Sequence, residues 1–281
     1  MTSSSLPLEG EELTYQLQFF HPEKISILAS MPGMNEEVVA KIYGIDMVWY
    51  QNLKNNFQQN AQRAAQELLT NPTFATQVDQ LPFAPGTIIV GLGDSITDDC
   101  QSWLEILRHL LAQRRPQDKI QVINAGVSGD TTDQMITRFF EITLQQPDWI
   151  ICFAGTNDAR RHGQSPTKVL VSLEETAKNL QMLRHFANSE TTAKWMWITP
   201  ASVIEEQIVK HWFLGQLEVM WLNKDLQAIA ELINQQPEPV VNLQPIFGMP
   251  ANPDLLLPDG LHPSLAGQKA IVKAVVERFV E

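Results

Sequence analysis

The sequence predicts a doubly wound α/β domain preceded by a mainly helical segment, and three observations point there. Short apolar runs rich in Val, Ile, Trp and Phe recur from residue 87 onward: TIIVGLG, IQVINAG, DWIICFAG, KWMWITP and PVVNLQP. Longer amphipathic segments separate them, and glycine, hydroxyl, amide and carboxylate residues follow them. Runs this short and this continuous in apolarity read as strands buried on both faces. Strands alternating with helices imply a parallel sheet, because right-handed crossovers place the helices over its two faces.

Taken in order, residues 1–85 have a different texture from the rest. NEEVVAKIYG is helix-like, and in IDMVWYQNLKNNFQQNAQRAAQELL the residues Trp49, Leu53, Phe57, Ala61, Ala64 and Leu68 recur at spacings of three and four. That spacing puts one apolar stripe on a helix that has a face to bury. NPTFATQVDQLPFAPG then carries Pro72, Pro82, Pro85 and Gly86, the punctuation of a linker. The boundary is therefore placed there, with a helical extension at 1–85 and the main domain at 86–281. The five strands are expected at 87–93, 120–126, 148–155, 194–200 and 239–245. In WLEILRHLLAQRR, Trp103, Ile106, Leu107, Leu110 and Leu111 share one face. TDQMITRFFEITLQQ, TKVLVSLEETAKNLQMLRHF, the long segment QIVKHWFLGQLEVMWLNKDLQAIAELINQ and SLAGQKAIVKAVVERFVE complete the helices. Trp212, Phe213 and Trp221 on that long segment read as core residues before pocket residues.

A chain of 281 residues with 44% hydrophobic and 19% charged residues has the composition of an ordinary globular protein. Its net charge of -12 offers no basic footprint for a polyanion, so nucleic acid is not expected as a partner. MTSSSLPLEGEELTYQ lacks a basic stretch followed by an apolar one, and no run is long enough to span a bilayer. Neither a secretory leader nor stable membrane insertion is expected. Cys100 and Cys152 are the only cysteines and fall in elements read as a helix start and a buried strand. They are expected to behave as small buried hydrophobes in a reducing, cytoplasmic compartment. Oligomeric state, a homo-oligomer included, stays open.

In open α/β sheets ligands bind outside the carboxyl ends of the strands, so the residues following each strand form a trial site. They are Gly93-Asp94-Ser95-Ile96-Thr97-Asp98, Asn124 to Asp130, Gly155-Thr156-Asn157-Asp158, and Asp259-Gly260-Leu261-His262-Pro263-Ser264. Nucleophilic acyl transfer is the chemistry that uses this whole set. A serine hydroxyl needs an adjacent base, an imidazole suits that task, and a carboxylate must hold the imidazole in the right tautomer. The expected roles are Ser95 as nucleophile, His262 as base and Asp259 as its orienting acid. None of the other five histidines has such neighbours in sequence. The oxyanion needs donors, and the backbone N–H groups of Ser95 and Gly129 with the amide of Asn157 are the candidates. Asp94 reads as an acceptor for loop N–H groups, and Asp98 or Asp99 as the start of the following helix. Arg160, Arg161 and His162 follow GTND at the site edge and read as solvated loop charges before contacts to an anionic substrate.

At these residues the chain resembles the SGNH hydrolase superfamily, the GDSL esterases and lipases. The four blocks stand in order as GDSIT at 93–97, Gly129 within VSGDTT, GTND at 155–158 and DGLHPS at 259–264. The resemblance spans about residues 86–281 and leaves the first 85 outside the common domain. It implies a flavodoxin-like three-layer α/β/α sandwich with a five-stranded parallel sheet. It also implies Ser95, Asp259 and His262 as the triad, Gly129 and Asn157 beside Ser95 in the oxyanion hole, and hydrolysis of a small-molecule ester without metal or cofactor. Lipids, thioesters, acetylated sugars and small esters all fall within its range, and transfer to another alcohol would use the same acyl-enzyme.

Rival readings are a dinucleotide-binding domain, a metal-dependent phosphohydrolase and a non-catalytic binding module. The first lacks its third glycine, since position 96 is Ile. The second would gather Asp94, Asp98, Asp130 and Asp158 around a hard cation. The third would use the same scaffold without chemistry. An α/β-hydrolase elbow would read G-x-S-x-G, whereas Gly93-Asp94-Ser95-Ile96-Thr97 ends in threonine.

Overall fold

The computed structural model describes residues 10–163 and 167–281. The leader reading of the first residues therefore falls largely on 1–9, outside the described part. Among these residues seven strands occur: β1 (Ile88–Gly93), β2 (Gln121–Gly126), β3 (Trp149–Phe153), β4 (Arg161–His162), β5 (Lys194–Ile198), β6 (Val219–Met220) and β7 (Val240–Val241). Five form one sheet in the order β2-β1-β3-β5-β7, with every neighbouring pair parallel. β4 and β6 make a small antiparallel ribbon that the apolar pattern did not predict.

Side chains alternate across a strand, and here the alternation sorts two cores. Ile89, Ile151, Phe153, Met196 and Ile198 face one layer, packed with the helices Trp103–Arg114 and Leu265–Val280. Val90, Leu92, Ile150, Cys152, Trp195 and Trp197 face the other, packed with Leu173–Glu190 and Asn223–Asn234. The result is the expected three-layer sandwich. Gly93, Gly126 and Phe153 are level in the register, so β1, β2 and β3 end together and release their loops at one edge.

The N-terminal region is helical, with the longest helix at Met47–Leu69. Phe57, Ala61 and Ala64 of the expected stripe are buried, but Trp49 is 37% exposed and Tyr50 takes the inward position. The helix spans two clusters: its first turn turns Tyr50 toward Leu13, Leu17 and Val39, while Ala61, Ala64 and Ala65 join the sheet's core. The expected linker is also partly helical, at Pro72–Asp79. Asn71 caps it by accepting from the N–H groups of Thr73 and Phe74, and Pro72 sits at its first position, where a missing N–H costs nothing. Phe74, Val78, Leu81 and Phe83 share the core of the sheet.

Two expected helices are broken. TDQMITRFFEITLQQ forms Thr132–Thr137 and Phe139–Thr143, and Arg138 at the junction turns its side chain to Asp130. The long segment after β5 divides into Glu205–Lys210, Trp212–Gln216, β6 and Asn223–Asn234. Asn223 accepts from the Val203 N–H at 2.9 Å and donates to the Val203 carbonyl at 2.9 Å, and β6 pairs with β4. These tertiary bonds override a pattern that is helical throughout by local preference.

Gly126 closes β2 against the turn that carries Ser95. A Cβ there would lie 2.5 Å from the Asp98 backbone nitrogen and 2.9 Å from its Cα. Gly126→Ala is expected to lower stability by about 1–3 kcal/mol, the usual cost of overpacking. Urea denaturation of the full chain checks this, and an unchanged midpoint would show that the turn yields freely.

Candidate active site

The site is built from four loop ends. After β1, the Asp94 carboxylate accepts from the Ile96 N–H at 3.0 Å and caps the short helix Ser95–Asp98, which holds Ser95 at the sheet edge. The expected cap at Asp98 or Asp99 is not seen: Ser102 caps the next helix, accepting from Glu105. Asp98 instead turns toward His21 and Lys24 of the N-terminal region, while Asp99 accepts from the Gln101 N–H at 2.9 Å and from Gln18 at 3.1 Å.

Ser95, His262 and Asp259 form one hydrogen-bonded row. Ser95 Oγ lies 2.9 Å from His262 Nε2, and His262 Nδ1 lies 2.6 Å from Asp259 Oδ2. The other carboxylate oxygen of Asp259 accepts from the backbone N–H groups of Leu261 and His262, at 2.8 and 2.9 Å. The turn thus aims acid and imidazole together. Burial would push the imidazole down and the carboxylate up, but their mutual attraction and hydrogen bonds prevail, so His262 is raised and Asp259 lowered.

Gly129 and Asn157 line the same cavity as Ser95 and His262. Gly129 has φ of +88° with nothing within 4 Å of the position a Cβ would take, so its backbone is open to an approaching ligand. The Asn157 amide donates one hydrogen to the Asp130 carbonyl at 3.2 Å, which fixes its plane and leaves its second hydrogen for the cavity. The loop around it is held by the Trp221 indole, which donates to the Thr156 carbonyl at 2.8 Å. Asp158 faces away, accepting from the Thr132 N–H and the Thr176 hydroxyl, each at 3.0 Å.

The acids that a hard cation would need are spent separately. Asp98 binds His21 and Lys24, Asp130 binds Arg138, Asp158 binds the two threonines, and Asp94 serves the turn. Burial raises Asp94 to about 7, with the Ile96 N–H and His262 opposing it.

Sequence reasoning missed the N-terminal contribution. The helix Gly10–Phe19 brings the Tyr15 hydroxyl to Asp259 Oδ2 at 2.9 Å and to 3.3 Å from His262 Nδ1. Phe19 stacks on the His262 ring with centroids 4.1 Å apart. Burial, then the charge of Asp259, raises the Tyr15 phenol far above its usual value, so it stays a donor. His21, one of the five histidines without such neighbours in sequence, lies 2.9 Å from Asp98 and 3.1 Å from Cys100 Sγ, and Cys100 is half-buried. Burial would lower His21, yet Asp98 lifts it to about 10. The aromatic run in TYQLQFFHPEK was the only local signal, and it names no partner.

The cavity holds about 250 Å³. Its apolar wall includes Phe213, Leu214, Leu217 and Trp221, so residues assigned to the core of a long helix line it. The loop charges are also not simply solvated. Arg161 is buried and paired with Asp225 at 2.7 Å, while Arg160 and His162 line the cavity.

Solved structures with this fold include LAE5, an α/β hydrolase enzyme from the metagenome of Lake Arreo, Spain. It is 22% identical, with a TM-score of 0.54 over 70% of this chain and 97% of that one. Axe2, an acetylxylan esterase from Geobacillus stearothermophilus, is 22% identical, with a TM-score of 0.53 over 70% and 95%. A single-residue variant of that enzyme is 25% identical, with a TM-score of 0.53 over 70% and 96%. A search of curated proteins finds no match. The family model of GDSL-like lipases and acylhydrolases matches residues 92–270, which contain all four loop ends of the site. The chain accordingly belongs to the GDSL-like lipase/acylhydrolase family, the hydrolases of ester bonds that its four sequence blocks resembled.

Proposed function

We propose that the chain cleaves a carboxylic ester of short acyl length through an acyl-enzyme on Ser95. The observation that carries this is the row Ser95–His262–Asp259, with separations of 2.9 and 2.6 Å, at the wall of a cavity that Gly129 and Asn157 also line. His262 Nε2 takes the Ser95 proton as Oγ attacks the carbonyl, and Asp259 stabilises the imidazolium that forms. The N–H groups of Ser95 and Gly129 and the free hydrogen of Asn157 receive the oxyanion. His262 then protonates the leaving alcohol, and water repeats the sequence in reverse. Apart from the ester and water, every group in these steps is a side chain or backbone N–H of the protein, and the steps as written use no metal or cofactor.

Tyr15 and Phe19 act as positioning residues. Phe19 covers one face of the imidazole, and the Tyr15 hydroxyl shares the Asp259 oxygen that His262 uses. A cavity of about 250 Å³ lies below the usual range of about 300–1,000 Å³ for small-molecule sites, which favours a compact ester over a long lipid. No helix among the described residues is long and apolar enough to cross a membrane. The free cysteines Cys100 and Cys152 accord with a reducing, cytoplasmic setting.

Ser95→Ala or His262→Ala is expected to reduce hydrolysis of p-nitrophenyl acetate by about 10⁶ in kcat, as for comparable triads. Near wild-type turnover in either variant, with folding checked by circular dichroism, would overturn the assignment. Asn157→Ala is expected to cost about 10²–10³ in kcat. An unchanged rate would remove Asn157 from the oxyanion hole and leave the triad standing.

The pH profile tests the base. His262 must be neutral to accept the proton, and its environment raises it above the ordinary 6.5. Activity is expected to fall as the solution is acidified through a midpoint above 6.5 in kcat/KM. Tyr15→Phe removes a donor from Asp259, so the carboxylate holds the imidazolium more tightly. The acid limb should then move up by about 0.5–1 unit. A limb that stays in place would leave Tyr15 a packing residue only.

A further inference from the structure

The cavity contains a cation that the ester chemistry does not use. Arg160 follows Asn157 on a turn closed by its own N–H, which donates to the Asn157 carbonyl at 3.1 Å, so the two side chains serve the same cavity from one loop. Among the described residues its guanidinium forms no ion pair and no hydrogen bond, and its Nε is buried without a partner. Arg161, the next residue, shows the ordinary arrangement: it is buried and paired with Asp225. Guanidinium groups placed against apolar walls normally find a carboxylate, because an uncompensated charge loses its hydration.

The surroundings agree. Burial lowers Arg160, opposed only by the more distant charge of Asp94, which is itself buried and raised to about 7. His162 on the same wall is lowered by burial and then by the positive charges of Arg160 and Lys168. The chain has 32 acidic residues against 20 Lys and Arg, so a cationic pocket runs against its overall charge. A planar fork of donors fits a carboxylate in two-point contact.

We propose that the substrate is an ester carrying a carboxylate, which Arg160 binds while the scissile carbonyl sits at Ser95. The proposal rests on Ser95 as the nucleophile and adds the substrate class. The small cavity keeps the two groups of the ligand a few bonds apart. Arg160 is a specificity-determining residue, and the oxyanion donors remain those of Ser95, Gly129 and Asn157.

The test compares matched esters on the full chain. On the acyl side the pair is p-nitrophenyl hemisuccinate and p-nitrophenyl butyrate. On the alcohol side it is 4-acetoxybenzoate and phenyl acetate. In one pair the wild type is expected to favour the carboxylate by tenfold or more in kcat/KM. Arg160→Gln is expected to cut that ratio by about 10- to 100-fold, the range for hydrogen bonds to charged groups, and Arg160→Lys to restore part of it. The pair that responds tells which side carries the anion. No preference in either pair, or a ratio that Arg160→Gln leaves in place, overturns the proposal. Calorimetry on Ser95→Ala reads the same preference without turnover. Monomethyl succinate should bind more tightly than methyl butyrate, and equal binding counts against the proposal. Retained turnover by Ser95→Ala would instead bring down the nucleophile assignment, which is a separate outcome from loss of the Arg160 preference.

Discussion

A buried carboxylate must be neutralised or it will not stay ionised, and the way Asp98 is neutralised joins the two halves of this protein. Asp98 lies on the turn that carries Ser95 and is almost wholly buried. It receives His21 at 2.9 Å and Lys24 at 2.5 Å from the N-terminal region, and the N–H and hydroxyl of Ser128 from the loop after β2. Burial would raise it, but these cations lower it. One carboxylate thus ties the Ser95 turn, the Gly129 loop and the N-terminal segment together. Gln18 adds a second tie by donating to Asp99 at 3.1 Å, and Tyr43 secures the Phe20 carbonyl at 2.6 Å.

That docking explains how a segment outside the family domain reaches the site. With residues 21 and 24 held at Asp98, the helix Gly10–Phe19 lies over the loop after β7, and its Tyr15 and Phe19 meet Asp259 and His262. The imidazole is then confined on three sides: by Ser95 at Nε2, by Asp259 at Nδ1 and by Phe19 across its face. In the proposed mechanism a ring fixed in this way would need no reorientation before accepting a proton, which is where preorganisation lowers a barrier.

The acids divide the electrostatic work. Asp259, with an imidazole and two backbone donors, is held ionised. Among the described residues Asp94 and Asp99 have no cationic partner at contact distance, and burial raises them to about 7 and about 6. Asp130 pins Arg138, and Arg138 in turn donates to the Gly93 carbonyl at 3.2 Å, so the ends of β1 and of the Gly129 loop are cross-braced. Asp94, Asp98, Asp99, Asp130 and Asp259 look interchangeable in the sequence but differ in task, and their partners decide which is which.

That Ser95, Gly129, Asn157, Asp259 and His262 would meet was legible in the sequence because each follows a strand or closes a short turn, and a parallel sheet sends all such ends to one edge. The strands themselves were legible because a strand buried on both faces is apolar at every position, a local property. Helix breaks at Arg138 and His211, and the ribbon of β4 with β6, were not, since local preference there is helical and only bonds to distant residues oppose it. Tyr15 lies 244 residues from Asp259, and no periodicity or spacing links them. The sequence by itself determined the sheet, the order of its loops and the kinds of groups they carry. Tertiary structure alone decided that His21 neutralises Asp98, that Tyr15 and Phe19 hold His262, and that Arg160 faces the cavity without an acid among the described residues. Contacts of this kind depend on which surfaces meet after folding, and charge pairing across such surfaces leaves no trace in the local pattern of either partner.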